Sequence, residues 1–284
     1  MTLISMPHPI VHHPFAYQFG PLQLTGFGIA ILMCFVVAQP VAQRELVRRG
    51  HDPSPLPDMI FAALIGGLLG AKLYYVVILG HWDSFFDRGG FVYWGGFIGG
   101  ALAVMAEVLR KRAGLAKMAD VSAPALAAAY AVGRTGCWAI GDDYGRPWDG
   151  FLAVAFPDGA PPSTAGIMAR DFGIAMPAGT SPATVLSVYP TQLFEVVLGL
   201  VAFGLLWRLR DHRHAEGWLF GVYCVLMGVE RFLIEFLRAK DDRLLGGLTY
   251  AQVIAVGIVA LGAAVMAWRS RVGAGKQGIY AVGA

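Results

Sequence analysis

Seven stretches of the chain are almost free of charged side chains: residues 22–43, 56–79, 91–109, 119–140, 190–209, 217–237 and 246–268. A helix crosses the hydrocarbon core of a bilayer in about 20 residues, so the pattern predicts seven transmembrane helices. Glycine-rich patches within them, "LIGGLLGAK" and "YWGGFIGGALA", suit helices whose backbones approach closely in lipid. The long interruption at 141–189 carries turn signals such as "PDGAPPS" and "MPAGTSPA". It is too long for a connector and reads as a small extracytoplasmic head. The expected fold is all-α: a single polytopic membrane domain over 1–284, with the 141–189 head inserted in it.

Composition supports this. Charged residues make up 14% of the chain, against roughly 25% in soluble domains. A net charge of +3 gives no reason to expect nucleic acid as a partner. The basic residues instead report topology. Thirteen follow the odd-numbered spans: Arg44, Arg48, Arg49, Arg110, Lys111, Arg112, Lys117, Arg208, Arg210, Arg213, Arg269, Arg271 and Lys276. Six lie on the other side: Arg88, Arg146, Arg170, Arg238, Lys240 and Arg243. Cytoplasmic loops collect Lys and Arg, which places the N-terminus and the head outside and the C-terminus in the cytoplasm. The first twenty residues hold no Lys or Arg, unlike a cleaved signal peptide, and read as part of the mature protein. Cys34, Cys137 and Cys224 are dispersed in apolar stretches and fit neither a disulfide framework nor metal-ligand spacing.

Three basic residues remain inside the spans: Lys72, Arg134 and Arg231. Ionisable groups at membrane depth are costly, face the bundle interior and mark functional sites. In "VERFLIEFLR", Arg231, Glu235 and Arg238 follow at i, i+4 and i+7 and form one stripe. An Arg–Glu pair so spaced can satisfy itself. Adding Arg134, Lys72 and the rim cations Arg238, Lys240 and Arg243 gives a surplus of positive charge over the nearest carboxylates. Guanidinium forks suit phosphate oxygens. In "GRTGCWAIGDDYGRPWD", Asp142 follows Arg134 by eight residues, so both are expected to face one cavity. Gly133, Gly136, Gly141 and Gly145 allow a tight helix exit. In "YPTQLFE", Gln192 and Glu195 share a helix face at i, i+3. The residues thus predict an anion pocket open to the outer side, with a phosphate-headed lipid as its natural occupant. These spacings do not name a reaction.

At these residues the chain resembles the bacterial prolipoprotein diacylglyceryl transferase family. "FGPLQLTGFG", "GAKLYYVV", "YWGGFIGG", "DVSAPALAAAYAVGRTGCWAIGDDYGRP", "YPTQLFE", "ERFLIEFLR" and "LTYAQ" are similar to its motifs, in order, over most of the chain. The resemblance implies seven helices in the bacterial cytoplasmic membrane. It also implies transfer of the diacylglyceryl group of phosphatidylglycerol to the lipobox cysteine thiol of a prolipoprotein, leaving a thioether and glycerol phosphate. No metal or cofactor is implied. Carried over by position, Arg134 is the signature lipid-binding arginine, Arg231 the second essential arginine and Glu235 its partner. Asp142 stands where the family usually has Glu, Gly145 matches the signature glycine, and Lys72 takes an arginine place. Trp94 stands where the family has a histidine, Cys137 where it often has Asn, Phe27 where it has Tyr, and Tyr189 where it has His.

The expected catalytic set is Arg134, Arg231, Asp142 and Glu235. Arg134, Arg231, Gly145, Gln192, Glu195 and Lys72 would bind substrate. Asp142, or else Glu235, would take the thiol proton, and Cys137 as a covalent nucleophile is the weaker course. Two other readings stay open: an anion or lipid transporter, which also needs buried arginines, and a catalytically silent family member, which Trp94 favours.

Overall fold

The computed structural model describes residues 10–20, 22–86, 92–240, 243–245 and 247–273. The first nine residues, Arg88 and Lys276 lie outside the described residues, as does the side chain of Arg243.

Among the described residues the chain forms eight α-helices: α1 Gly26–Arg48, α2 Leu56–Leu79, α3 Tyr93–Arg110, α4 Leu115–Ile140, α5 Ala165–Arg170, α6 Thr191–Leu209, α7 Trp218–Ile234 and α8 Tyr250–Gly273. Four of them, α1, α2, α6 and α8, are long and apolar enough to cross a membrane, as in a polytopic membrane protein. α7 has only 17 residues, and the apolar run of α4 is diluted by Pro124, its glycines, Asp120 and Arg134.

Helix starts differ from the hydropathy pattern where strands intervene. The first apolar run begins at residue 22, but α1 begins at Gly26. Leu22–Thr25 (β3) pairs instead with Ala16–Phe19 (β2) in an antiparallel hairpin. The Thr25 hydroxyl then caps α1, accepting from the Gly28 N–H at 3.1 Å. The last helix is likewise delayed to Tyr250 by a hairpin of Arg243–Leu245 and Leu248–Thr249. Its first turn is closed reciprocally. The Gln252 N–H donates to Thr249 Oγ1 at 3.2 Å, and the Thr249 N–H to Gln252 Oε1 at 3.0 Å.

α4 is the hub, packing against α1, α6 and α7, while α2 pairs with α3 and α7 with α8. The α2–α3 contact is backbone on backbone: a Cβ on Gly70 or Gly95 would collide with the other's carbonyl. Leu46, Met59, Val108, Val121 and Ala125 form one core around α4, and Ala127, Leu206, Leu219 and Val222 another. Near its start, Asp120 joins a buried charge cluster with Glu45 and Arg49. Arg134 lies 14 residues on, roughly 20 Å along the axis.

Residues 141–189 have a small core of their own. Ile10–Val11 (β1) runs parallel to Val154–Ala155 (β4), which pairs antiparallel with Ser187–Val188 (β5). Tyr144, Phe156, Met168, Val188 and Ala239 pack beneath, with Tyr144 and Phe156 stacked at 5.4 Å. This core abuts the ends of α4 and α7.

Candidate functional site

Side chains from α4, α6 and α7 meet below that core. Arg134, in the last two turns of α4, places Nη1 2.9 Å from Asp143 Oδ2 and Nη2 3.0 Å from Glu195 Oε1. Arg231, near the end of α7, places Nη2 2.6 Å from Glu235 Oε2 and Nη1 3.7 Å from the same Glu195 Oε1. Two guanidiniums from different helices therefore converge on one oxygen of a fully buried carboxylate. Arg238 completes the mesh, 2.5 Å from Asp143 Oδ1 and 3.7 Å from Glu235 Oε2.

For Arg134, Arg231 and Arg238, the expected surplus of cations is corrected by this arrangement. Three guanidiniums interleave with three carboxylates, Asp143, Glu195 and Glu235, and Asp142 and Glu230 stand beside them. Long side chains reach across helices, so partners distant in sequence balance charges that look unpaired along it. Uncompensated, each buried charge would cost several kcal/mol.

Asp142 does not pair with Arg134. α4 ends at Gly141, whose φ of 68° turns the chain, and Asp143 follows with a φ of 57°. The reversal delivers Asp143 to the arginines in place of Asp142. Burial, then the neighbouring Asp143 charge, push the Asp142 carboxyl up to about 6 from an ordinary 3.8. Its Oδ1 is buried with no hydrogen-bond partner. Burial would also raise Asp143, but the Arg238 and Arg134 guanidiniums hold it well below the usual carboxylate range.

The start of α6 fixes this turn. Gln192 Nε2 donates to the Asp142 carbonyl at 2.5 Å, and Thr191 Oγ1 to the Asp143 carbonyl at 2.7 Å. The Gly145 N–H donates to the Tyr189 carbonyl at 2.8 Å, and Gly145 bridges Arg238 as a single β-pair. Gln192, Glu195, Gly145, Arg134, Arg231 and Glu235 are thus brought together. Lys72 lies on α2, outside the three meshed helices, with its ammonium 5.8 Å from the Tyr75 ring centre. Trp94 sits in the first turn of α3, about half exposed, its ring 6.4 Å from that of Phe97. Among the described residues, one group, Cys137, Asp142 and Asp143, brings ligand atoms within 4.8 Å of one another. Both oxygens of Asp143 are already engaged by Arg134 and Arg238, which disfavours a cation there.

Sequence reasoning missed two residues. Tyr130, one turn before Arg134, lays its ring 5.2 Å from the guanidinium carbon. Its hydroxyl lies 3.0 Å from Glu230 Oε1 and 3.3 Å from Glu195 Oε1. The available signal was its i−4 spacing from a buried arginine. Asp143 was legible only as the neighbour of Asp142.

The sequence model of the family described as prolipoprotein diacylglyceryl transferase matches residues 14–268. The chain belongs to the prolipoprotein diacylglyceryl transferase family. It is similar to the phosphatidylglycerol–prolipoprotein diacylglyceryl transferase of Symbiobacterium thermophilum, 30% identical over 264 residues covering 90% of this chain and 92% of that protein. The proteins of the same name from Clostridium tetani and Bordetella bronchiseptica are each 28% identical. They match over 88% and 91% of this chain and 94% and 95% of their own lengths. Membership in this transferase family covers the whole mesh, since Tyr130 to Arg238 lie inside the matched residues.

Proposed function

We propose that this chain transfers the diacylglyceryl group of phosphatidylglycerol to the lipobox cysteine thiol of a prolipoprotein, in the bacterial cytoplasmic membrane. All seven long helices span the bilayer in this reading, with the N-terminus and residues 141–189 outside. The observation that carries it is the convergence of Arg134 and Arg231 on one buried seat, which Glu195 now fills. A phosphate can take that seat.

Sulfur attacks the glycerol carbon, a C–S bond forms, and the C–O bond to phosphate breaks with its electron pair on the leaving glycerol phosphate. Two fixed guanidiniums in a dry site stabilise charge gathering on that phosphate. They also favour ionisation of an incoming thiol, whose ordinary pKa is about 8.5. Asp142 takes the thiol proton, being close to the forks and not neutralised by them. Trp94 leaves the histidine place without a base, because an indole only donates.

The deciding experiment incubates purified protein with labelled phosphatidylglycerol and a lipobox peptide. A diacylglyceryl mass gain on the peptide cysteine is expected. No gain with lipid still bound points to a silent member, and lipid movement across sealed vesicles without thioether points to a transporter.

Asp142→Asn separates the proton acceptor from the anion seat. Transfer by the unsubstituted chain should rise with pH through about 6 as Asp142 ionises, and the Asn variant should fall about 100-fold and lose that limb. The sign on stability is opposite. A carboxyl raised in the folded state favours folding while protonated and loses that contribution as pH climbs through about 6. Asp142→Asn should therefore melt higher than the unsubstituted chain at pH 8, with the gap closing toward pH 4. An unchanged pH–rate profile would remove Asp142 from the mechanism.

A further inference from the structure

Glu195 presents a difficulty for any anion entering the mesh. Its Oε1 is the atom on which Arg134 and Arg231 converge, at 3.0 and 3.7 Å. A phosphate reaching those forks must displace a carboxylate from them. Two like charges cannot share a seat this dry, so Glu195 must swing away or lose its charge. Glu195 is fully buried and begins the second turn of α6, which leaves little room to swing.

The third neighbour of Oε1 offers the other course. The Tyr130 hydroxyl is 3.3 Å from that same oxygen and 3.0 Å from Glu230 Oε1. A phenol has one hydrogen and cannot donate fully to two carboxylates at once. Both contacts are satisfied when Glu230 carries a proton and donates to the phenol oxygen while the phenol donates to Glu195. Of the groups around Glu230, the Glu195 carboxylate favours a proton there, while Tyr130, Arg134 and Arg231 oppose one. From α4 come Tyr130 and Arg134, from α6 Glu195, and from α7 itself Arg231. α8, which packs on α7, brings Tyr250 in its first turn and Arg269 and Arg271 only at its far end.

We propose that Glu230 and Tyr130 form a proton relay that clears the anion seat: Glu230 gives its proton to the Tyr130 oxygen as Tyr130 gives its own to Glu195 Oε1. The balance is internal. Glu195 becomes neutral and releases both guanidiniums, Tyr130 ends as it began, and the negative charge moves to Glu230. The arginines exchange a carboxylate for a phosphate without a proton from water. Tyr130 and Glu230 are positioning residues, acting through Glu195 and touching no substrate. The inference rests on the reading that Arg134 and Arg231 bind a phosphate, and it is tested on binding as well as on turnover.

The experiment measures phosphatidylglycerol affinity in detergent micelles, and KM for transfer, from pH 6 to 8. The unsubstituted chain should show a flat profile through the acid half of this range, where Glu230 holds the relay's proton. In Tyr130→Phe or Glu230→Gln, the proton must come from solvent, so Kd and KM should both rise with pH, by up to about tenfold per unit. The effect on kcat should be smaller. Glu195→Gln makes the seat neutral, so adding either substitution to it should change affinity by less than about twofold. Flat profiles in both single variants, or a penalty that persists in full on the Glu195→Gln background, would overturn the relay. A single variant that binds no lipid is judged on that background: restored binding supports the relay and continued loss overturns it. Lipid binding without thioether formation defeats the activity reading alone. No binding by the unsubstituted chain defeats both.

Discussion

Arg134→Ala should abolish detectable thioether formation, a fall on the order of 10²–10³-fold or more, by analogy with removing one donor from a preorganised anion site. The side chain meets Asp143, Glu195, the Tyr130 face and the Cys137 sulfur. No other residue brings a fork from α4. Arg134→Lys should recover little, since one ammonium cannot address Asp143 and Glu195 together at 2.9 and 3.0 Å. The comparison with Lys also guards against a trivial outcome. If Arg134 only held the fold together, the Lys variant, which keeps the positive charge, would regain activity along with its melting temperature. The expected result is a stable and inactive Lys variant. Transfer at more than about a tenth of the original rate by Arg134→Ala, measured by mass gain on the lipobox peptide, would refute the two-fork seat. Arg231→Ala should behave alike, but with a larger loss of stability, because it strips Glu235 of its 2.6 Å partner in a buried setting.

The resting mesh matches three guanidiniums with three carboxylates, and under the proposed function this bears on how a lipid phosphate would be recognised. An empty cluster of three part-buried arginines would repel itself and trap any passing anion. Interleaving Asp143, Glu195 and Glu235 holds the forks in place and sets a threshold for entry. A headgroup must outcompete Glu195, which favours a ligand whose tails are already anchored alongside in the bilayer. Under the proposed function, specificity for a lipid over a free phosphate would follow from the cost of displacement, without a contact to the acyl chains.

Much of the helix pattern was written in hydropathy, and the departures have local causes. Residues 56–79 match α2 residue for residue, since Pro55 and the left-handed Gly80 mark its two ends. α1 and α8 start late because Leu22–Thr25 and Leu248–Thr249 are apolar enough to continue a span but pair in hairpins first. The core of 141–189 was not legible. Its sheet joins residues 10–11 to 154–155 through strands of two residues, too short for any period. In the site, Arg134, Arg231 and Glu195 stood out because a charge in an apolar run is conspicuous. Asp143 did not, because a helical wheel carried past Gly141 selects Asp142. Tyr130 was hidden by being one aromatic ring among many in a membrane chain, and only its hydroxyl contacts distinguish it. The rim cations misled for a related reason. Along the sequence Arg238 looks unpaired, whereas in space Asp143 meets it from 95 residues away.

Gly145→Ala should cost nearly as much activity as losing a fork, although no charge changes. A Cβ there would lie 2.5 Å from the Leu237 carbonyl oxygen, 2.6 Å from Tyr189 Cβ and 3.0 Å from Thr191 Cγ2. None of these is the free end of a flexible side chain. The first is backbone just beyond α7, and the other two flank the start of α6. Relief requires the strand at 145 to part from both, breaking its N–H bond to Tyr189 and its pairing with Arg238. Arg238 would then draw back from Asp143, and Asp143 would lose half of what fixes it against Arg134. Overpacking of this kind costs about 1–3 kcal/mol, so the variant should fold with a lowered melting temperature. Its transfer rate should fall more than stability alone explains, because a misplaced fork loses most of its effect on the leaving phosphate. Gly204→Ala on α6 is the control: a Cβ there meets nothing within 4 Å, and helix propensity favours the change by about 1 kcal/mol. Transfer and melting temperature in Gly145→Ala that match those of Gly204→Ala would show that the close approach at 145 has no part in holding the arginines.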